Sequence, residues 1–176
     1  MRNVIRMLGV SLAAMFGMLL ASSVAWAQAV ETPITVSFFR CETLVEPERD
    51  WVDEDGIRHL RNELFSCMRG RDMRGNDIAW ANSDRDPTAG YYTEHGYYTF
   101  TGRVLNGEQT TGVGRYTVEG NRIGGVWNYT SDDVMHLEGG GLVKLSAAWE
   151  AGERLIYSGV LLETPGGAKR NGPRSK

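Results

Sequence analysis

His59, Arg61 and Glu63 stand two residues apart along one segment of the chain. An alternation of two places all three on one face of a β-strand. A histidine beside a carboxylate can move protons at neutral pH. A guanidinium can grip a ligand carboxylate through paired hydrogen bonds. Pointed into a lumen, the set would make His59 and Glu63 a catalytic pair and Arg61 a ligand anchor. The same alternation offers a second arrangement. Leu60, Leu64 and Met68 form an apolar row on the other face, and an apolar row ordinarily faces the core. On patterning this second arrangement is the stronger, and it leaves the polar row solvated.

Other residues with reactive side chains are weaker candidates. His136 and Glu138 repeat the two-residue spacing beside a run of three glycines, and His95 opens a strand. Three scattered histidines and two cysteines lack zinc-ligand spacing. Asp84 and Asp86 start like a calcium loop, but Ala89 replaces the required glycine and His95 the terminal glutamate. No metal or cofactor is therefore expected. Nucleophile elbows, phosphate loops and dinucleotide fingerprints do not occur. Asn128-Tyr129-Thr130 matches a glycosylation sequon, but it lies inside a strand.

Aromatic residues are the larger resource. Tyr91, Tyr92, Tyr97, Tyr98, Phe100, Tyr116, Trp127, Tyr129, Trp149 and Tyr157 are spread over the second half of the chain. Alternation sends about half of such residues inward in a barrel. Tyr98, Phe100, Tyr116, Trp127 and Tyr129, with Arg61, are the residues expected to touch a ligand.

The elements that would position them are strands. Val, Ile, Thr, Tyr and Trp fit a pleated surface, and no segment reads as a convincing helix. Strands are expected over 34–45, 57–68, 77–81, 95–105, 110–119, 123–131, 135–149 and 154–163, the seventh bent at Gly139-Gly140-Gly141. Turns are expected at Asp53–Gly56, at 82–90, at Asn106-Gly107 and at Gly120-Asn121. About eight strands joined by short links predict an all-β, antiparallel, closed or nearly closed barrel. Such a ring is just wide enough for side chains or one small ligand. With the first turn centred on Glu54, Cys41 and Cys67 fall opposite each other, within disulfide reach.

The strands built on Gly112-Val113-Gly114-Arg115-Tyr116, Gly124-Gly125-Val126-Trp127 and Glu138-Gly139-Gly140-Gly141-Leu142, with Gly56-Ile57-Arg58-His59-Leu60-Arg61 upstream, carry a resemblance. Together they resemble the allene oxide cyclase-type calycin barrel, shared with plant dirigent proteins and small bacterial barrel proteins. The resemblance spans Trp51 to Glu163. It implies a barrel that binds a hydrophobic small molecule and, in some members, guides its cyclisation or coupling. It assigns no catalytic residue to a position here.

Arg2 and Arg6, the apolar run from Met7 to Leu20, and Ala25-Trp26-Ala27 read as a cleaved export signal over residues 1–27. Residues 28–33 would be a mobile entry, 34–163 the barrel and 164–176 a disordered basic tail. Export to the periplasm or medium would let the two cysteines pair. The full chain of 176 residues carries 19 Lys and Arg against 22 Asp and Glu. Signal removal widens that acidic excess, which argues against nucleic-acid binding. No later run is long enough for stable membrane insertion. Three functions remain: ligand carriage in the lumen, a cyclase or isomerase using it, or an envelope interaction module with a filled barrel. A small-molecule partner is expected, and the oligomeric state is open.

Overall fold

Extended segments rich in aromatic and β-branched residues satisfy their backbone groups by pairing with one another. The computed structural model describes residues 29–163 and holds nine antiparallel strands. They are β1 (Val30–Val45), β2 (Arg49–Val52), β3 (Arg58–Arg71), β4 (Met73–Asp86), β5 (Tyr91–Val104), β6 (Gln109–Ile123), β7 (Val126–Leu137), β8 (Leu142–Glu150) and β9 (Ile156–Glu163). Each strand from β3 to β8 pairs with the next. β1 completes the circuit by pairing with both β9 and β3. Eight strands therefore form a ring, and the short β2 continues along β3 where β1 leaves it. The β8–β9 pairing stops at Ser146 and Ser158, so the ring parts toward one end. The expected signal segment and basic tail lie outside the described residues.

The two ends of the ring differ. Val36, Met73, Phe100, Met135 and Val143 are fully buried and fill one end. Ile34, Leu145 and Leu161 pack into the same cluster. The other end carries the turns after β2, β4, β6 and β8, and there the interior is not filled.

Cross-strand glycines decide how the inward tyrosines lie. Tyr98 is paired with Gly114, Tyr116 with Gly96 and Tyr129 with Gly120. Each ring lies over the bare backbone of its partner, so a Cβ there would meet the ring. At Gly120 it would come within 2.8 Å of Tyr129. The rings thus line the wall rather than crossing the lumen.

Several expected boundaries move. Gly120-Asn121 is not a turn; β6 runs through it and reverses at Gly124-Gly125, where both φ angles are positive (60° and 89°). Such a two-residue turn needs two residues tolerant of positive φ. The expected long seventh strand is two, β7 and β8, separated at Gly139–Gly141. β4 extends to Asp86, well into the expected loop. Residues 30–33 are not a mobile entry, because they pair with Val160–Glu163 of β9.

Cys41 pairs directly with Cys67 across β1 and β3, with their Cα atoms 4.1 Å apart, and the two form a disulfide. It closes the ring at the β1–β3 seam. The bridge spans a sequence separation of 26, and removing one that closes such a loop costs about 3 kcal/mol by chain-entropy arguments. Urea denaturation of the Cys41→Ser/Cys67→Ser protein should show a loss of that order; an unchanged midpoint would mean the seam closes without it. Gly114→Val should lower stability by about 2 kcal/mol or more through overpacking against Tyr98, and its near-ultraviolet dichroism should change with it.

Candidate functional site

The unfilled end holds a cavity of about 450 Å³. Phe38, Phe65, Tyr92, Tyr98, Tyr116, Tyr129, Trp149 and Tyr157 supply its aromatic wall. Trp149 and Leu155 stand where β8 and β9 part, and both line it. Tyr129 stacks on Trp149 at 5.3 Å and meets Tyr92 edge-on at 5.9 Å. The volume suits one small molecule.

Its floor is charged. Arg69 of β3 points inward with its side chain 1% exposed. Its Nε donates to Asp77 Oδ2 at 2.5 Å, and one terminal nitrogen donates to Asp133 Oδ2 at 3.2 Å. The guanidinium lies 4.7 Å from the ring centres of both Phe38 and Tyr98. Tyr98 donates its hydroxyl to Asp133 Oδ1. Tyr157 donates to Ser131 Oγ at 2.8 Å, and Ser131 donates in turn to the Thr117 carbonyl. Asp77 Oδ1 is buried and has no donor among the described residues.

These contacts set protonation. Desolvation opposes the charge on Arg69, but Asp77 and Asp133 overcome it and hold the guanidinium charged well above its ordinary range. Burial lifts Asp77 to about 6 despite Arg69. Burial also raises Asp133, again against the pull of Arg69. Tyr157 is pushed up to about 12, chiefly by burial. Higher on the wall, Glu94 accepts from Tyr116 at 2.8 Å and from Tyr92. Its burial raises it too, while the two phenols pull it down.

The residues singled out from sequence divide. Tyr98, Tyr116 and Tyr129 line the cavity. Phe100 does not; it is fully buried in the packed end. Trp127 does not either; it stacks on Tyr129 at 6.1 Å from outside the lining, under the guanidinium of Arg85. His59, Arg61 and Glu63 are absent from the lining, and Glu63 does not share the face of His59 and Arg61.

The cause is a β-bulge. Leu60 pairs with Ser83 and Glu63 with Ala81, so β3 spends one extra residue against β4. Asn62 takes it up at φ 59°, its amide donating to Asn82 Oδ1. An asparagine tolerates that left-handed conformation better than most residues. The alternation reverses there. Glu63, Phe65, Cys67 and Arg69 then follow the face of Ala81, Ala79 and Asp77, while His59 and Arg61 follow that of Asp84. Glu63 is held at the rim by the Thr43 hydroxyl. The expected apolar row fails as well, since Met68 is 45% exposed.

His59 and Arg61 form an outer cluster instead. The His59 ring bridges Asp84 at 2.6 Å and Asp53 at 2.9 Å, and stacks on Trp51 at 4.7 Å. Arg61 donates to the same Asp84 oxygen. The hydrogen bond to Asp53, then that to Asp84, raises the histidine above its ordinary value. The cluster ties the β2–β3 hairpin tip to β4. His95 and His136 do not line the cavity either.

Arg69, Asp77, Glu94 and Asp133 were not anticipated. One signal could have found Arg69. Cysteine is among the most buried residue types, so Cys67 marks the inward row, and Arg69 shares its parity. Glu94 and Asp133 carry no local mark.

Compared with protein-family models, curated proteins and solved structures, the chain matches none.

Removing Arg69 leaves two buried carboxylates facing each other. Arg69→Met should destabilise the fold by about 3–5 kcal/mol at neutral pH, measured by urea denaturation. The outer cluster predicts a pH dependence. Stability from His59, raised in the fold, is complete below its unfolded value near 6.5 and lost as pH rises through the native one. Asp53 and Asp84 are lowered; their stability is complete above the unfolded value near 3.8 and lost as pH falls through the native ones. The stability gap between parent and His59→Gln should therefore be widest between about pH 4 and 6.5. A gap flat from pH 4 to 9 would contradict the cluster.

Proposed function

We propose that this chain is an exported barrel protein that holds one small, largely apolar ligand in its lumen. The cavity of about 450 Å³ carries this reading. It is of the size ordinary for small-molecule sites, walled by aromatic rings and floored by a few fixed polar groups. An envelope module with a filled barrel would have no use for it. The allene oxide cyclase-type resemblance is consistent with the same use of a barrel. The cyclase or isomerase alternative loses its named pair, since His59 and Glu63 stand outside the lining.

Export is supported by the signal-like start of the sequence and by the Cys41–Cys67 bridge, a bond at home in an oxidising compartment. Among the described residues no helix is long and apolar enough to cross a membrane.

Native mass spectrometry of protein purified from an exporting host should show a bound small molecule. Val118 lines the cavity, so Val118→Trp should fill it and weaken binding by about ten-fold or more. Equal loading of parent and variant would remove the lumen as the site.

A further inference from the structure

The charges inside the cavity do not balance. Three carboxylates, Asp77, Glu94 and Asp133, face two guanidinium groups, Arg69 and Arg85, in the lining. Arg69 is shared between Asp77 and Asp133. Arg85 lies over the Trp127 ring at 5.2 Å. Glu94 is left with two phenols, which donate hydrogen bonds but bring no charge. Among the described residues no Lys, Arg or His forms an ion pair with it. Exposed His95, next in sequence, favours the ionised form of Glu94 weakly, and Glu63 on β3 opposes it.

Glu94 is half-buried, and a partly desolvated carboxylate with no paired counter-charge carries a cost that a cation offsets. Asp77 Oδ1 adds a buried acceptor in the same lining that no donor satisfies. Glu94 is held by Tyr92 and Tyr116, and Phe65, Tyr129 and Trp149 line the same cavity with ring faces of the kind that attract cations. Carboxylate and aromatic faces together select a positive head on an apolar body. A neutral apolar molecule would fill the volume but leave Glu94 unpaired.

We infer that the ligand is an organic cation, an apolar body bearing an ammonium or quaternary-ammonium head that sits against Glu94 within the aromatic wall. The inference rests on the ligand-carrier reading and narrows it to a chemical class. Glu94 supplies the counter-charge, and the rings supply the contact surface.

Two probes of nearly the same shape test it: phenyltrimethylammonium and tert-butylbenzene, which differ by one positive charge. Titrated into the purified protein and followed by calorimetry, the cation should bind about ten-fold tighter or more. Glu94→Gln keeps the size of the side chain and should abolish most of that preference. Equal or tighter binding of tert-butylbenzene by the parent would overturn the inference and leave the carrier reading standing. So would a preference undiminished in a folded Glu94→Gln protein. Failure of both probes to bind would bring down the carrier reading, and this inference with it. The probe comparison on the parent protein decides the matter even where the variant does not fold.

Discussion

One buried guanidinium organises the interior of this ring. Arg69 reaches from β3 to carboxylates on β4 and β7 and lies against rings on β1 and β5. A charge so deeply buried is tolerated only when it is paired and its donors are used. The fold meets that demand by bringing five strands to one point. Apolar packing continues on one side of that point and stops on the other. The charged floor is thus the boundary between a filled half and a hollow half.

The hollow half follows from small residues placed opposite large ones. Gly96, Gly114 and Gly120 give the tyrosines of neighbouring strands a bare backbone to lie on. Rings held flat against the wall leave the axis of the strand ring open. Glycine in a strand ordinarily weakens it. Here the loss is offset by aromatic contact area and, at Tyr98 and Tyr116, by hydroxyls that donate to carboxylates inside. Tyr157 ends on the Ser131 hydroxyl. Wall and floor are therefore both hydrogen-bonded, and the shape of the cavity is tied to contacts that also stabilise the ring.

The β3 bulge shows how little separates an outer cluster from an inner one. One residue in a left-handed conformation, Asn62, reverses the alternation along the strand. Upstream of it, His59 and Arg61 brace the hairpin tip from outside. Downstream, Phe65, Cys67 and Arg69 build the cavity wall. Cavity wall and outer brace sit on the same strand and are sorted by a single backbone irregularity.

The sequence alone determined the strand class, the count around the ring and the disulfide, because those depend on local side-chain preference and on distance along the chain from a turn. Tyr98, Tyr116 and Tyr129 could be named as lining candidates because aromatic residues dominate the walls of small barrels. The parity of β3 could not be read so simply, since a bulge is decided by how two strands settle against each other. Nor could the meeting of Arg69 and Asp77 with Asp133, which lies 64 positions from Arg69 and reaches it only because the strands close into a ring. Composition told that the chain would fold back into a wall. Tertiary structure decided what the wall faces, because the sign and pairing of buried charges exist only once distant strands are neighbours.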